Sequence, residues 1–293
     1  MRTAAATAIP LLSAVGYAVA ALMLKRGMEG ERSPWRVVFL VNMVTALAFQ
    51  SWFAFGGHAF SWENVGHAVL AGVAFFVGQV LTFVAISRGD VSISTPVLGT
   101  KVVFVALFVH LSGGEELTSA LWTATLLTSV ALALLGGEWR ANRSRMLVSV
   151  VFAFMAAIAF AATDVMQQHW VPAFHFGHFG PVMFLTVAVL SFGLVPFFDG
   201  GLLSLPRRSL AWAVPGATFL AVQAMGVAYS IGVFHEVTVT NVLYNTRGLW
   251  SVALVWAVGH WFANTEREVG AAIMFRRLLG AVLLLGAVFL CLR

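Results

Sequence analysis

The sequence predicts an all-α membrane protein of ten transmembrane helices, built as two inverted five-helix repeats over residues 1–138 and 139–293. Three observations lead there: a composition suited to lipid, a succession of long apolar runs, and an internal repeat near half the chain length. Of 293 residues, 60% are apolar and 10% charged, against the ~25% charged residues of a soluble domain. Mean hydropathy is +0.91. A spanning helix needs ~20 apolar residues, so ten spans use nearly the whole chain. The short loops that remain leave no room for an appended soluble catalytic, nucleotide-binding or DNA-binding domain.

The runs fall at 4–24, 34–55, 64–87, 91–111, 117–137, 147–168, 179–198, 210–233, 237–259 and 278–292, separated by Gly, Pro, Asn or charge clusters. Helix is the reading for each, because open strands leave unpaired backbone groups in lipid and the period-two alternation of a barrel is absent. The first run, with Arg2 before it and the small triplet Ala18-Val19-Ala20 inside it, has features of a secretory signal. It continues to Leu24 before Lys25-Arg26 and is read as a retained first helix. In the fourth run Pro96 lies about one and a half turns before Lys101, where loss of a backbone donor predicts a kink.

The repeat joins the third and fourth runs to the eighth and ninth. Val91-Ser92-Ile93-Ser94-Thr95 reappears as Val237-Thr238-Val239-Thr240-Asn241, and in the same register Thr100-Lys101 falls on Thr246-Arg247. Upstream, Gln79 and Val84-Ala85-Ile86-Ser87 match Gln223 and Val227-Ala228-Tyr229-Ser230. Five helices per half is an odd number, so the second half enters the bilayer from the opposite side. Such halves can rock about a midplane site, a device that a carrier needs and an enzyme does not.

On these features the chain resembles the drug/metabolite transporter superfamily, in its EamA-like ten-helix branch. The resemblance rests on the 5+5 layout, the Val-Ala-x-Ser ends of the third and eighth runs, and Gly114-Glu115-Glu116-Leu117-Thr118 opening the fifth. The last is similar to the family's Gly-Glu-x-Leu-Thr turn, and its second-half counterpart, Asn264-Thr265-Glu266-Arg267-Glu268, is degenerate. The resemblance implies a secondary transporter of small organic metabolites working by alternating access. It also implies that Tyr17 in the first run and Phe160 in the sixth face a substrate cavity. Sugar-phosphate carriers of the superfamily hold phosphate with basic residues on the corresponding helices. Small multidrug members use a Glu in the first helix, where this sequence has no carboxylate.

Loops one, three, five, seven and nine carry thirteen Lys and Arg residues and the opposite side two, Arg2 and Arg293. The positive-inside rule then places both termini outside the cytoplasm of a multi-pass protein of a bacterial inner (plasma) membrane.

Three ionisable acid or base groups lie well within the runs: Lys101, Asp164 and Arg247. Each costs ~2.5–3.5 kcal/mol near a helix centre, so each needs a partner or an aqueous cavity. Lys101 and Arg247 are repeat mates, and one Asp164 cannot neutralise both. Asp164 therefore braces one of them, or carries a coupling proton, and at least one cation is expected to hold an anionic substrate group. Thr240, Tyr244, Arg247 and Ser251 recur at helical spacing with Asn241 and Asn245 alongside, a polar stripe that predicts a cavity face. Ser94 and Lys101 form its sparser match in the first half. Gln79 and Gln223 serve either to orient a substrate or to clamp helices together.

Competing chemistry is thin. His169, His175 and His178 cluster beyond the sixth run without a neighbouring carboxylate, and no metal or other cofactor is expected. No phosphate-cradling Gly-rich loop is present. The basic residues sit at run ends, so nucleic acid is excluded as a partner; the expected partners are a small-molecule substrate, membrane lipid, and a coupling proton or counter-substrate. The reading is a carrier, not an enzyme, for an anion or zwitterion such as an amino acid or phosphorylated compound. The alternatives are a multidrug or organic-cation exporter of the same fold, and a membrane enzyme or lipid-handling protein using the His cluster.

Overall fold

Lipid offers backbone N–H and C=O groups no partner, so a chain of this composition satisfies them within helices. The computed structural model describes residues 4–28, 34–55, 59–88, 91–113, 117–135, 143–201, 205–258 and 271–292, and among these there is no strand. The helices are α1 (Ala4–Gly27), α2 (Pro34–Gln50), α3 (Val65–Arg88), α4 (Val91–Gly99), α5 (Lys101–Ser112) and α6 (Ser119–Leu135). The second half supplies α7 (Arg143–Phe174), α8 (Phe176–Ser191), α9 (Arg207–Phe234), α10 (Val237–Tyr244), α11 (Arg247–Val258) and α12 (Ala271–Leu292). Short 3-10 segments extend α2 over Ser51–Phe55 and α8 over Phe192–Phe197, and a third, Trp62–Asn64, leads into α3.

The described residues of the predicted runs are largely helical. Seven helical segments among the described residues are long and apolar enough to cross a membrane. They correspond to every run except the fourth, fifth and ninth. The fifth is shorter than predicted, 119–135, and the fourth and ninth are each interrupted. Both interruptions are made by a threonine. Thr100 returns its hydroxyl to the Val97 carbonyl at 2.6 Å, and Thr246 returns its own to Leu243 at 2.7 Å. The backbone N–H of each threonine bonds the same carbonyl, at 3.0 and 3.1 Å. Three-residue bonds of this kind tighten the helix locally. The Glu-containing turns and the boundary between residues 138 and 139 lie outside the described residues.

Helices in lipid are held by close packing of small residues rather than by a hydrophobic force. Between α1 and α9, Gly27 comes so close that a Cβ would stand 2.9 Å from the Ala213 backbone nitrogen, and at Gly216 one would stand 3.1 Å from that of Leu24. The α3–α7 pair repeats the device at Gly78, where a Cβ would stand 2.9 Å from the Phe160 ring. At Gly72 of α3 the approach to α8 is so close that a Cβ would stand 2.6 Å from the Met183 carbonyl oxygen. The largest core cluster packs Phe49, Phe176, Phe179, Met183 and Phe184 against α3 and α7, with Phe49 stacked on Phe184 at 4.0 Å. The helices α6 and α12 pair with each other to one side.

Candidate functional site

The remaining helices enclose a cavity of about 270 Å³. Its apolar wall includes Val41, Phe75, Leu98, Phe160, Met183, Phe184 and Leu220. Its polar groups are Tyr17, Asn42, Thr45, Gln79, Thr82, Lys101, Asp164, Gln167, Gln223, Tyr244 and Arg247. All three ionisable groups singled out in the sequence thus meet at one cavity.

They are not equivalent there. Asp164 Oδ2 lies 2.6 Å from Lys101 Nζ and accepts a second bond, at 2.7 Å, from Asn241 Nδ2. Asn241 also donates to the Val237 carbonyl, and Gln168, one turn past Asp164, accepts the Val237 N–H at 2.8 Å. One face of α7 therefore holds both α5 and the start of α10. Arg247, in contrast, has no carboxylate within ion-pair distance among the described residues. Its guanidinium carbon lies 4.7 Å from the Tyr17 ring centre and 4.5 Å from that of Tyr244. The two rings stand at 82° to each other, 6.1 Å apart. Aromatic faces stabilise a cation without neutralising it, so the guanidinium N–H groups keep their affinity for an anion.

The glutamines also differ. Gln79 and Asn42 exchange amide bonds at 3.0 and 3.1 Å, and Asn42 donates further to Ser191 Oγ at 2.8 Å. That amide is a clamp between α2, α3 and α8. Gln223 donates only to the Leu220 carbonyl, and its Oε1 is buried without a partner among the described residues.

Seven of the expected site residues, Tyr17, Gln79, Lys101, Asp164, Gln223, Tyr244 and Arg247, line the cavity. Ser94, Thr240, Asn241 and Asn245 do not: Ser94 is fully buried and bonds the Ala85 carbonyl at 3.0 Å, and Asn241 serves Asp164. Of the stripe expected through Thr240, Tyr244 and Arg247, Tyr244 and Arg247 line the cavity across the interruption at Asn245–Thr246, and Thr240 is buried away from it. Asp164 is interior to its helix, as α7 runs on ten residues to Phe174. The same extension puts His169 within α7 and not beyond it. His178 is buried on α8 against the rings of Phe60 and Phe174. Asn42, Thr45, Thr82 and Gln167 were not foreseen. Gln167, three residues after Asp164, was signalled by an amide on the face of an intramembrane carboxylate.

Residues 5–137 match the model of the EamA-like transporter family. Over those residues the chain is similar to that family. Members of that family carry small molecules across membranes, and the seven long apolar helical segments make this EamA-like chain an integral, multi-pass membrane protein. A solved crystal structure 17% identical in sequence superposes over 99% of this chain and 96% of its own, with a TM-score of 0.77. At that identity the likeness concerns the fold alone. No curated protein matches the sequence.

Proposed function

We propose that this EamA-like protein is a secondary transporter that moves a small organic anion or zwitterion through the cavity by alternating access. The observation that carries the reading is Arg247, a cavity cation held between two tyrosine rings while Asp164, the one carboxylate at the cavity among the described residues, is taken by Lys101. A charge kept at such a depth without a counter-ion marks a ligand site by default. The organic-cation alternative needs a free carboxylate, and Asp164 is engaged twice.

Alternating access draws support from the packing. Exchanging the first helix with the sixth, the second with the seventh, and so on, turns the α1–α9 contact into the α3–α7 contact and the α2–α9 contact into α3–α8. It likewise relates α5–α7 to α11–α1, as an inverted repeat of ten spans requires. Aromatic clusters follow the same exchange. At one end Trp52, Phe176 and Tyr229 pack mutually, with ring centres 4.9, 5.7 and 5.3 Å apart. At the other, Trp35 on α2 meets Phe83 on α3 at 3.7 Å and Phe197 past α8 at 6.0 Å. Opening one cluster while closing the other is the motion we assign to the cycle, with both termini outside the cytoplasm as the loop charges direct.

The test is transport into proteoliposomes by the wild type and Arg247→Ala. Lost transport with normal membrane expression and folding supports the reading. Transport that persists in Arg247→Ala contradicts it.

A further inference from the structure

Within the anion site proposed above, the helices of the second half bring two amides to the cavity with hydrogen-bonding capacity that no protein group among the described residues takes up. Gln167 is 5% exposed, lines the cavity and makes no hydrogen bond among the described residues. Gln223 is 8% exposed and lines the same cavity, with Oε1 shut away from water and unpartnered. Buried polar groups in folded proteins are nearly always paired, and an exception calls for an explanation. The contrast with Gln79, repeat mate of Gln223, sharpens the point: both ends of its amide are bonded to Asn42.

We infer that Gln167 and Gln223 form a neutral hydrogen-bonding subsite, which selects, among small carboxylates held at Arg247, those that also carry a hydroxyl or carboxamide. The chemistry of the two amides sets this class. Gln223 Oε1 accepts once its side chain turns toward a ligand, and Gln167 both donates and accepts. A hydroxyl or carboxamide can donate to one and accept from the other, whereas an ammonium group can only donate. Charge sets the other limit. Lys101 and Asp164 cancel, so the ionisable groups at the cavity leave one positive charge, at Arg247. A monocarboxylate balances it, and a phosphate dianion would bring a second negative charge with no cation to meet it. The apolar wall of Phe75, Phe160, Met183 and Phe184 takes an apolar body.

This inference rests on the reading of Arg247 as the anion anchor, and the experiment separates the two. Calorimetric titration of the full chain in detergent uses four compounds of one branched skeleton: 4-methylpentanoate, 2-hydroxy-4-methylpentanoate, leucine and 3-methylbutyl phosphate. The wild type is expected to bind the hydroxy acid about tenfold more tightly than 4-methylpentanoate, the effect of one well-made hydrogen bond. It should also prefer the hydroxy acid to leucine and to the phosphate. In Gln167→Leu and Gln223→Leu the tenfold preference should collapse while 4-methylpentanoate binds as before, which also reports that the variants are folded. The shorter amide in Gln223→Asn should give an intermediate loss. Equal binding of the two acids by the wild type, a preference that survives both Leu variants, or tightest binding of leucine or the phosphate would overturn the subsite and leave the anion site standing. Carboxylate binding that is absent, or unchanged in Arg247→Ala, would overturn the anion site and this inference together.

Discussion

Asp164 and Lys101, 63 residues apart in sequence, meet at 2.6 Å, and the carboxylate is further held by Asn241. This pair ties α7 to α5 and leaves Arg247 as the cation without a counter-ion at the cavity. Breaking a buried pair strands a charge and costs about 3–5 kcal/mol, whereas replacing both members by apolar groups is close to neutral. Asp164→Asn should therefore lower the melting temperature by several degrees, and Lys101→Met/Asp164→Leu should recover most of it. Because the pair is a brace, the double variant should also keep Arg247-dependent ligand binding. Differential scanning fluorimetry of the three proteins checks the order.

The rings of Tyr17 and Tyr244 position a planar guanidinium, which a lysine does not replace. Arg247→Lys is expected to weaken anion binding about tenfold or more, and Tyr17→Leu several-fold, in line with ~0.5–2 kcal/mol for a cation–π contact. Tyr17→Phe keeps the ring face and should bind nearly as the wild type does. Titration with 4-methylpentanoate distinguishes these outcomes.

Helix packing gives a prediction free of any ligand. A side chain at Gly72 meets backbone of α8, so Gly72→Val should cost about 1–3 kcal/mol through overpacking. Gly286 of α12 has nothing within 4 Å of where a Cβ would stand, and Gly286→Ala should be neutral or slightly stabilising. Thermal unfolding of the two variants should move in opposite directions or leave the second unchanged.

Loop charge predicts which end faces out. A cysteine at Trp62, 81% exposed before α3, should react with a membrane-impermeant maleimide added to intact cells, in a background lacking Cys291. One at Arg208, exposed at the start of α9, should react only after the cells are opened. The reverse pattern would invert the topology.

The helical character was legible because lipid imposes it: composition and run length alone locate the seven long apolar helical segments. The internal repeat also marked Lys101 and Arg247 as mates, and each begins the helix after a threonine interruption. The partner of Asp164 was not legible, since pairing across 63 or 83 residues depends on how α7 rotates against α5 and α11, which periodicity does not report. Of the stripe through Thr240, Tyr244 and Arg247, the last two reach the cavity and Thr240 does not, because burial against neighbouring helices is not reported by spacing. Asn42 and Gln167 escaped notice because single amides in apolar runs have no repeat mate to single them out, and only packing shows that they reach the cavity.

The most direct test of the Arg247 anion site is a thermal-shift panel of anionic, zwitterionic and cationic metabolites on the wild type, Arg247→Ala and Lys101→Met/Asp164→Leu. A ligand that binds only the folded state raises apparent stability. The account predicts stabilisation by small carboxylates that vanishes in Arg247→Ala and persists in the double variant. Stabilisation chiefly by organic cations, untouched by Arg247→Ala and lost with Asp164, would contradict it.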